Sequence, residues 1–100
     1  MNKYKIYYDT GNDRRMYGLL NINNNFNRYS IDELKTKLIN KFLDFTEEEY
    51  DKVNLKYIAD DKYILGWREG ARHVGLTFIA VDDDYSYQSI NPRDKVNYKI

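Results

Sequence analysis

Ser30-Ile31-Asp32-Glu33-Leu34-Lys35-Thr36-Lys37-Leu38-Ile39-Asn40-Lys41-Phe42-Leu43-Asp44-Phe45 is the one long stretch of this chain with a helical period, and its reading decides the fold. Ser30 and Glu33 stand as a capping box, in which the hydroxyl accepts from the third helical amide while the carboxylate reaches back. Tyr29 and Leu34 occupy the places of a hydrophobic staple. Ile31, Leu34, Leu38, Phe42 and Phe45 recur every three or four residues, and Ile39 and Leu43 widen the stripe, so one face is apolar. Asp32 and Glu33 sit at the positive end of the dipole, with lysines 35, 37 and 41 following. A helix of this kind covers one face of a sheet.

On the N-terminal side the period falls to two. Tyr4, Ile6 and Tyr8 alternate with Lys3, Lys5 and Tyr7, which reads as a half-buried strand. Asp9-Thr10-Gly11-Asn12-Asp13 is dense in turn formers, and Arg14 to Ile22 returns as the second arm of a hairpin. Asn21 to Asn27 reads as a polar loop. On the C-terminal side Thr46-Glu47-Glu48-Glu49-Tyr50 repeats the capping logic in one short helical turn. Val53, Leu55 and Tyr57 then alternate with Asn54, Lys56 and Ile58, Asp60-Asp61 turns, and Lys62 to Trp67 returns. After a break at Glu69 to Arg72, Val74 to Val81 is apolar on both faces and reads as the central strand. Asp82-Asp83-Asp84 ends it, Tyr85 to Ile90 forms another strand, and Asn91 to Asp94 turns into a last strand, Val96 to Ile100. The expectation is one α+β domain over 1–100: a mostly antiparallel sheet of about five or six strands with one amphipathic helix packed on it. The hairpin–helix–strand opening resembles a β-grasp arrangement.

Composition narrows the function. The chain of 100 residues is 42% apolar and 32% charged, enough for a single core and against disorder. Sixteen basic and sixteen acidic residues sum to zero net charge, which speaks against an obligate polyanion binder. The absence of cysteine removes disulfides and thiolate chemistry and favours a reducing cytoplasm. After Met1 a strand-like run follows directly, without the apolar segment of a signal peptide, and no apolar run nears the ~18 residues of a membrane span. Alanine occurs only at positions 59, 71 and 80 while Asn, Lys, Ile and Tyr abound, a bias that suits an AT-rich genome.

Eleven tyrosines are the outstanding compositional feature, since tyrosine serves both interfaces and base-stacking platforms. Two clusters stand out as partner-binding candidates. Asp82, Asp83 and Asp84 with Tyr85 and Tyr87 read as an acidic-aromatic ridge suited to a basic groove. Arg14, Arg15 and Tyr17 read as a basic-aromatic edge. Catalytic options are few: His73 is the only histidine, and no phosphate loop, nucleophile elbow or zinc motif is present. Three consecutive aspartates point in alternating directions and lack a calcium-loop pattern, so no metal and no cofactor is expected. Trp67 reads as core.

In size, composition and absence of a diagnostic motif the chain resembles in kind the small inhibitor proteins of bacteriophages and mobile elements, including anti-CRISPR and other anti-defence proteins. That resemblance implies a non-enzymatic protein that sterically blocks a larger host protein or ribonucleoprotein complex in the host cytoplasm. The alternative is a nucleic-acid-binding module, with sheet tyrosines stacking bases and Lys3, Lys5, Arg14 and Arg15 meeting phosphates. An uncovered edge strand, the first strand or Val96 to Ile100, would also permit a homodimer.

Overall fold

Helix α1 spans Ile31–Phe42, and its start follows from the cap: the Ser30 hydroxyl accepts the Glu33 amide at 3.1 Å. Leu34, Leu38 and Ile39 are fully buried on the sheet. The apolar stripe is shorter than its spacing suggests. Ile31, in the first turn, stays 48% exposed. At the other end the helix stops at Phe42, so Phe45 leaves the helical register and meets Trp67 edge-on at 5.8 Å. A second short helix, α2, spans Glu47–Tyr50. Glu49 accepts the Thr46 amide at 3.3 Å and its hydroxyl at 3.0 Å, and the Tyr50 hydroxyl donates to the Asn40 side chain, tying the two helices together.

The computed structural model describes residues 2–59, 62–82, 85 and 97–100. Its strands are β1 (Asn2–Asp9), β2 (Arg14–Ile22), β3 (Asn54–Ala59), β4 (Lys62–Glu69), β5 (Arg72–Val81) and β6 (Asn97–Lys99). They form one six-stranded sheet in the order β3-β4-β5-β1-β2-β6, antiparallel throughout except for the parallel pair β2–β6. The hairpin–helix–strand opening is present, and β5 lies inside the sheet as its apolar run implies. The first strand is not an edge: β1 pairs with β2 on one side and β5 on the other. The edges are β3 and β6. Tight turns are closed by glycines with positive φ, Gly11 at 91° and Gly70 at 63°, where a Cβ would be strained. The turns expected at Asp60-Asp61 and Asn91–Asp94, and the strand expected over Tyr85–Ile90, fall outside the described residues apart from Tyr85. There the Tyr85 amide donates to the Asp82 carbonyl at 2.9 Å and closes a turn after β5.

The core lies between α1 and one face of the sheet. Tyr4 and Ile6 of β1, Leu20 and Ile22 of β2, Tyr63, Leu65 and Trp67 of β4, and Val74, Leu76 and Phe78 of β5 all point there. Phe26 corrects the reading of Asn21–Asn27 as a polar loop. Strand β2 runs on to Ile22, and Phe26 begins a single 3-10 turn (Phe26–Arg28) that drives its ring into the core at 1% exposure. Its ring stacks on Tyr4 at 3.9 Å, and its amide donates to the Tyr4 hydroxyl at 2.9 Å. A buried tyrosine needs such a partner for its polar end. Trp67 is core as expected, 7% exposed, with its indole N–H donating to Glu69 at 3.3 Å.

Candidate binding face and a glycine-floored hollow

Side chains alternate across a strand, so the residues that do not face α1 share the second face of the sheet. The ladder register places Lys3, Lys5, Tyr7 and Asp9 of β1 there, opposite Asn21, Leu19, Met16 and Arg14 of β2. Val81, Ile79, Thr77 and Gly75 flank β1 on its other side, followed outward by Lys62, Ile64 and Gly66 of β4. Arg68 opposite His73, and Lys56 and Asn54 of β3, complete that half, while Asn97 and Lys99 of β6 close the other end. No described helix or strand crosses this face. It is nonetheless not uniformly open, because Leu19 and Thr77 are buried within it.

Charge is strongly partitioned. The neutral chain gathers Lys3, Lys5, Arg14, Lys56, Lys62, Arg68 and Lys99 on this one face, against a single described strand carboxylate, Asp9. Asp9 is already committed: Arg14 Nε donates to it at 2.6 Å and the buried Thr77 hydroxyl at 2.6 Å. Burial by itself would push the Asp9 carboxyl up, but the hydrogen bonds from Arg14 and Thr77 and the charges of Arg14 and Lys62 together hold it below its ordinary value of 3.8. The same contact raises the Arg14 guanidinium further. The Tyr7 ring lies between cations, 5.1 Å from the Arg14 guanidinium and 5.4 Å from Lys5 Nζ.

At the β3 end of this face is a hollow of about 480 Å³. Its floor is a pair of glycines, Gly66 and Gly75, directly opposite each other on β4 and β5. The sheet row through them reads Asn54, Gly66, Gly75, Asp9, so a polar side chain stands at each end of a strip without side chains. Ile64 walls one side, Arg68 and His73 the other, and Lys52 and Lys56 stand on the rim. Arg68, His73, Lys52 and Lys56 are all exposed.

The sequence candidates are dispersed by the fold. Arg14 belongs to the second face, whereas Arg15 pairs with Tyr8 on the opposite face and meets Asp13 at 2.9 Å. Tyr17 sits at a bulge, where the register passes from Ile6–Gly18 to Tyr7–Met16. Its ring stacks on Tyr98 at 5.5 Å and meets Phe42 edge-on at 6.0 Å. Burial first, and then the hydrogen bond and charge of Tyr17, push the Tyr98 phenol up to about 12. Asp82 is exposed at the end of β5, and the Tyr85 carbonyl accepts from Lys3 Nζ at 3.1 Å with its ring 5.9 Å from Lys5 Nζ. Asp83, Asp84 and Tyr87 lie outside the described residues. Of the eleven tyrosines, Tyr4 and Tyr63 are buried in the core, and Tyr8, Tyr17, Tyr29, Tyr50 and Tyr98 pack against it. Much of the aromatic surplus therefore builds the helix-side core.

The glycine pair went unnoticed in the sequence, though a signal existed. A two-residue turn at 70–71 pairs each residue with the one equally distant on the other side, and Gly66 with Gly75 is such a pair. Among the described residues no three carboxylate or histidine side chains converge as a metal site, and no helix is long and apolar enough to cross a membrane. No protein-family model matches the chain, and neither a curated protein nor a solved structure matches it.

Proposed function

We propose that this chain is a non-enzymatic protein-binding module, an inhibitor of the bacteriophage or mobile-element kind that sterically blocks a larger host protein or ribonucleoprotein complex in the host cytoplasm. The observation that carries the reading is the partition of charge: among the described strand residues of a neutral protein, one sheet face carries seven cationic side chains and one neutralised carboxylate. A partner for that face is acidic. The face is not purely electrostatic, because Ile64, Ile79 and Met16 lie among the cations. It also borders the β3 edge, where Tyr57 is 53% and Ile58 49% exposed. Apolar and aromatic anchors inside a charged rim are the anatomy of protein interfaces. Asp82 and Tyr85 adjoin the same face at the end of β5, so an acidic-aromatic segment meets it at one corner. The test is capture of partners from nuclease-treated low-GC bacterial lysate by the wild type and by the double variant K56E/R68E. Loss of a stoichiometric protein partner is expected, with stability changed by no more than about 0.5 kcal/mol per site, as for other exposed positions. Undiminished capture, or a melting temperature that falls in step with capture, would remove this face from the interface.

The nucleic-acid reading has one observation of its own. Lys3, Lys5, Tyr7 and Arg14 share the second face, and the Tyr7 ring stands between two cations in the manner of a stacking platform. Its signature is oligonucleotide affinity that falls steeply with salt. Partners lost on nuclease treatment would favour it over the protein-binding reading.

A further inference from the structure

Glycine inside a strand weakens a sheet and commonly marks a place where a ligand or another backbone comes close. Here two glycines face each other on interior strands, and they differ in why they are there. A Cβ at Gly75 would stand 3.1 Å from the Leu65 carbonyl oxygen and 3.6 Å from Ile64, so close packing of β4 on β5 already asks for glycine. A Cβ at Gly66 would meet nothing nearer than the Val74 carbonyl oxygen at 3.8 Å, an ordinary contact. Gly66 has no positive φ either. Neither packing nor backbone conformation requires glycine at 66, and what its bare Cα does is leave the floor of the hollow flat.

The dimensions of that floor suit a ring. Asn54 and Asp9 are three strand spacings apart, about 14 Å, and the same-face neighbours of Gly66, Ile64 and Arg68, are four residues apart, about 13 Å. Between them lies the backbone of β4 and β5 without a Cβ, half-buried at Gly66 and buried at Gly75. A volume of about 480 Å³ falls within the range of small-molecule sites. On the open side stand Arg68, His73, Lys52 and Lys56. Asp9, the one carboxylate of the wall, is neutralised by Arg14, so the field over the floor is positive. Three cations with a histidine exceed what a single carboxylate would use and match a phosphate monoester, which offers up to two charges and three acceptor oxygens.

We propose that this hollow is a binding site for a flat heteroaromatic ring carrying a phosphate, with the ring on the Gly66–Gly75 floor and the phosphate against Arg68, Lys56 and His73. The chemistry is shared by a free mononucleotide and by one unit of a single-stranded nucleic acid. The hollow shares Lys56 and Arg68 with the face proposed to engage a protein, and a nucleotide titration of the chain alone reads this site without that partner.

The experiment is an amide NMR titration of the full chain with AMP, with orthophosphate and with a short single-stranded oligonucleotide. AMP is expected to shift the Gly66 and Gly75 amides saturably, and orthophosphate to bind roughly tenfold more weakly, having no ring to stack. Gly66→Val is the decisive variant, because a β-branched residue suits a strand and the contact at 3.8 Å leaves room for it. G66V should keep its melting temperature and dispersed spectrum while losing AMP binding by roughly tenfold or more, and R68E should lose a similar amount through the phosphate. Unsaturable AMP shifts, shifts centred away from the floor, orthophosphate as tight as AMP, or full AMP affinity in a folded G66V would each overturn the proposal. A strand that binds more tightly than AMP, and loses that advantage in G66V, identifies the nucleotide as part of a chain. Equal affinities identify it as free.

Discussion

Asp9 illustrates how one side chain ties the sheet together. It lies on β1, takes a charge-assisted hydrogen bond from Arg14 across the hairpin and another from Thr77 on β5, and thereby links three strands on the face that α1 does not cover. Its carboxyl is held below its ordinary value despite partial burial, so its contribution is complete above 3.8 and disappears as pH falls through the lower folded-state value. Asp9→Asn should cost about 1–2 kcal/mol at neutral pH, with the Arg14 share reduced by solvent. The gap between wild type and D9N in urea denaturation should close as the pH is taken below that range. A gap of the same size in acid would mean that the amide disturbs packing and that charge is not the cause. The alternation of Lys3, Lys5 and Tyr7 in the sequence announced that they share a face, but Asp9 read as the start of the turn, and neither its place on β1 nor Thr77 as a partner 68 positions away was legible there.

At the scale of elements, helix α1 and the β1–β2 hairpin formed where local chemistry placed them, because a cap and a turn are settled by residues within four positions. Ile31 and Phe45 departed from the expected stripe: Ile31 stays exposed in the first turn, and the helix stops before Phe45, whose ring packs on Trp67 instead. The three-residue strand β6 is held by its ladder with β2 and by side chains. Tyr98 stacks on Tyr17 and meets Phe42 edge-on at 4.9 Å. The Tyr98 phenol is raised to about 12 by burial and by Tyr17, so the neutral form is favoured in the folded chain. Stability from this source is therefore complete below the ordinary tyrosine value of 10.0 and lost as pH climbs towards about 12. Tyr98→Phe has no proton to lose there. Its stability should decline less steeply than that of the wild type across this alkaline window in pH-dependent chemical denaturation. Parallel declines would show that Tyr98 stays protonated by no more than its exposed counterparts.

Among the described residues one core cluster lies on one side of the sheet, and Phe26 lies at its middle in contact with Tyr4, Tyr63 and Phe78. Phe26→Ala should cost about 3–5 kcal/mol. Against the ~5–15 kcal/mol typical of a domain, that is about a fifth of the total at the least, and the melting temperature should fall by ~4–8 °C for each kcal/mol. Because the described residues form one core cluster, circular dichroism and tyrosine fluorescence should lose structure in one shared transition. A small loss confined to the 21–29 segment would show that this turn is only draped over the core. Among the described residues the capped helix, the turns around Gly11 and Gly70, the strands that alternate and most core residues followed from the sequence alone, since periodicity and capping depend on near neighbours in the chain. The tertiary structure alone decided that β1 is interior, that Arg14 and Arg15 part to opposite faces, and that a neutral chain carries a basic face over a glycine floor. Those properties depend on which strands pair and in what register, and pairing between distant segments leaves no local trace.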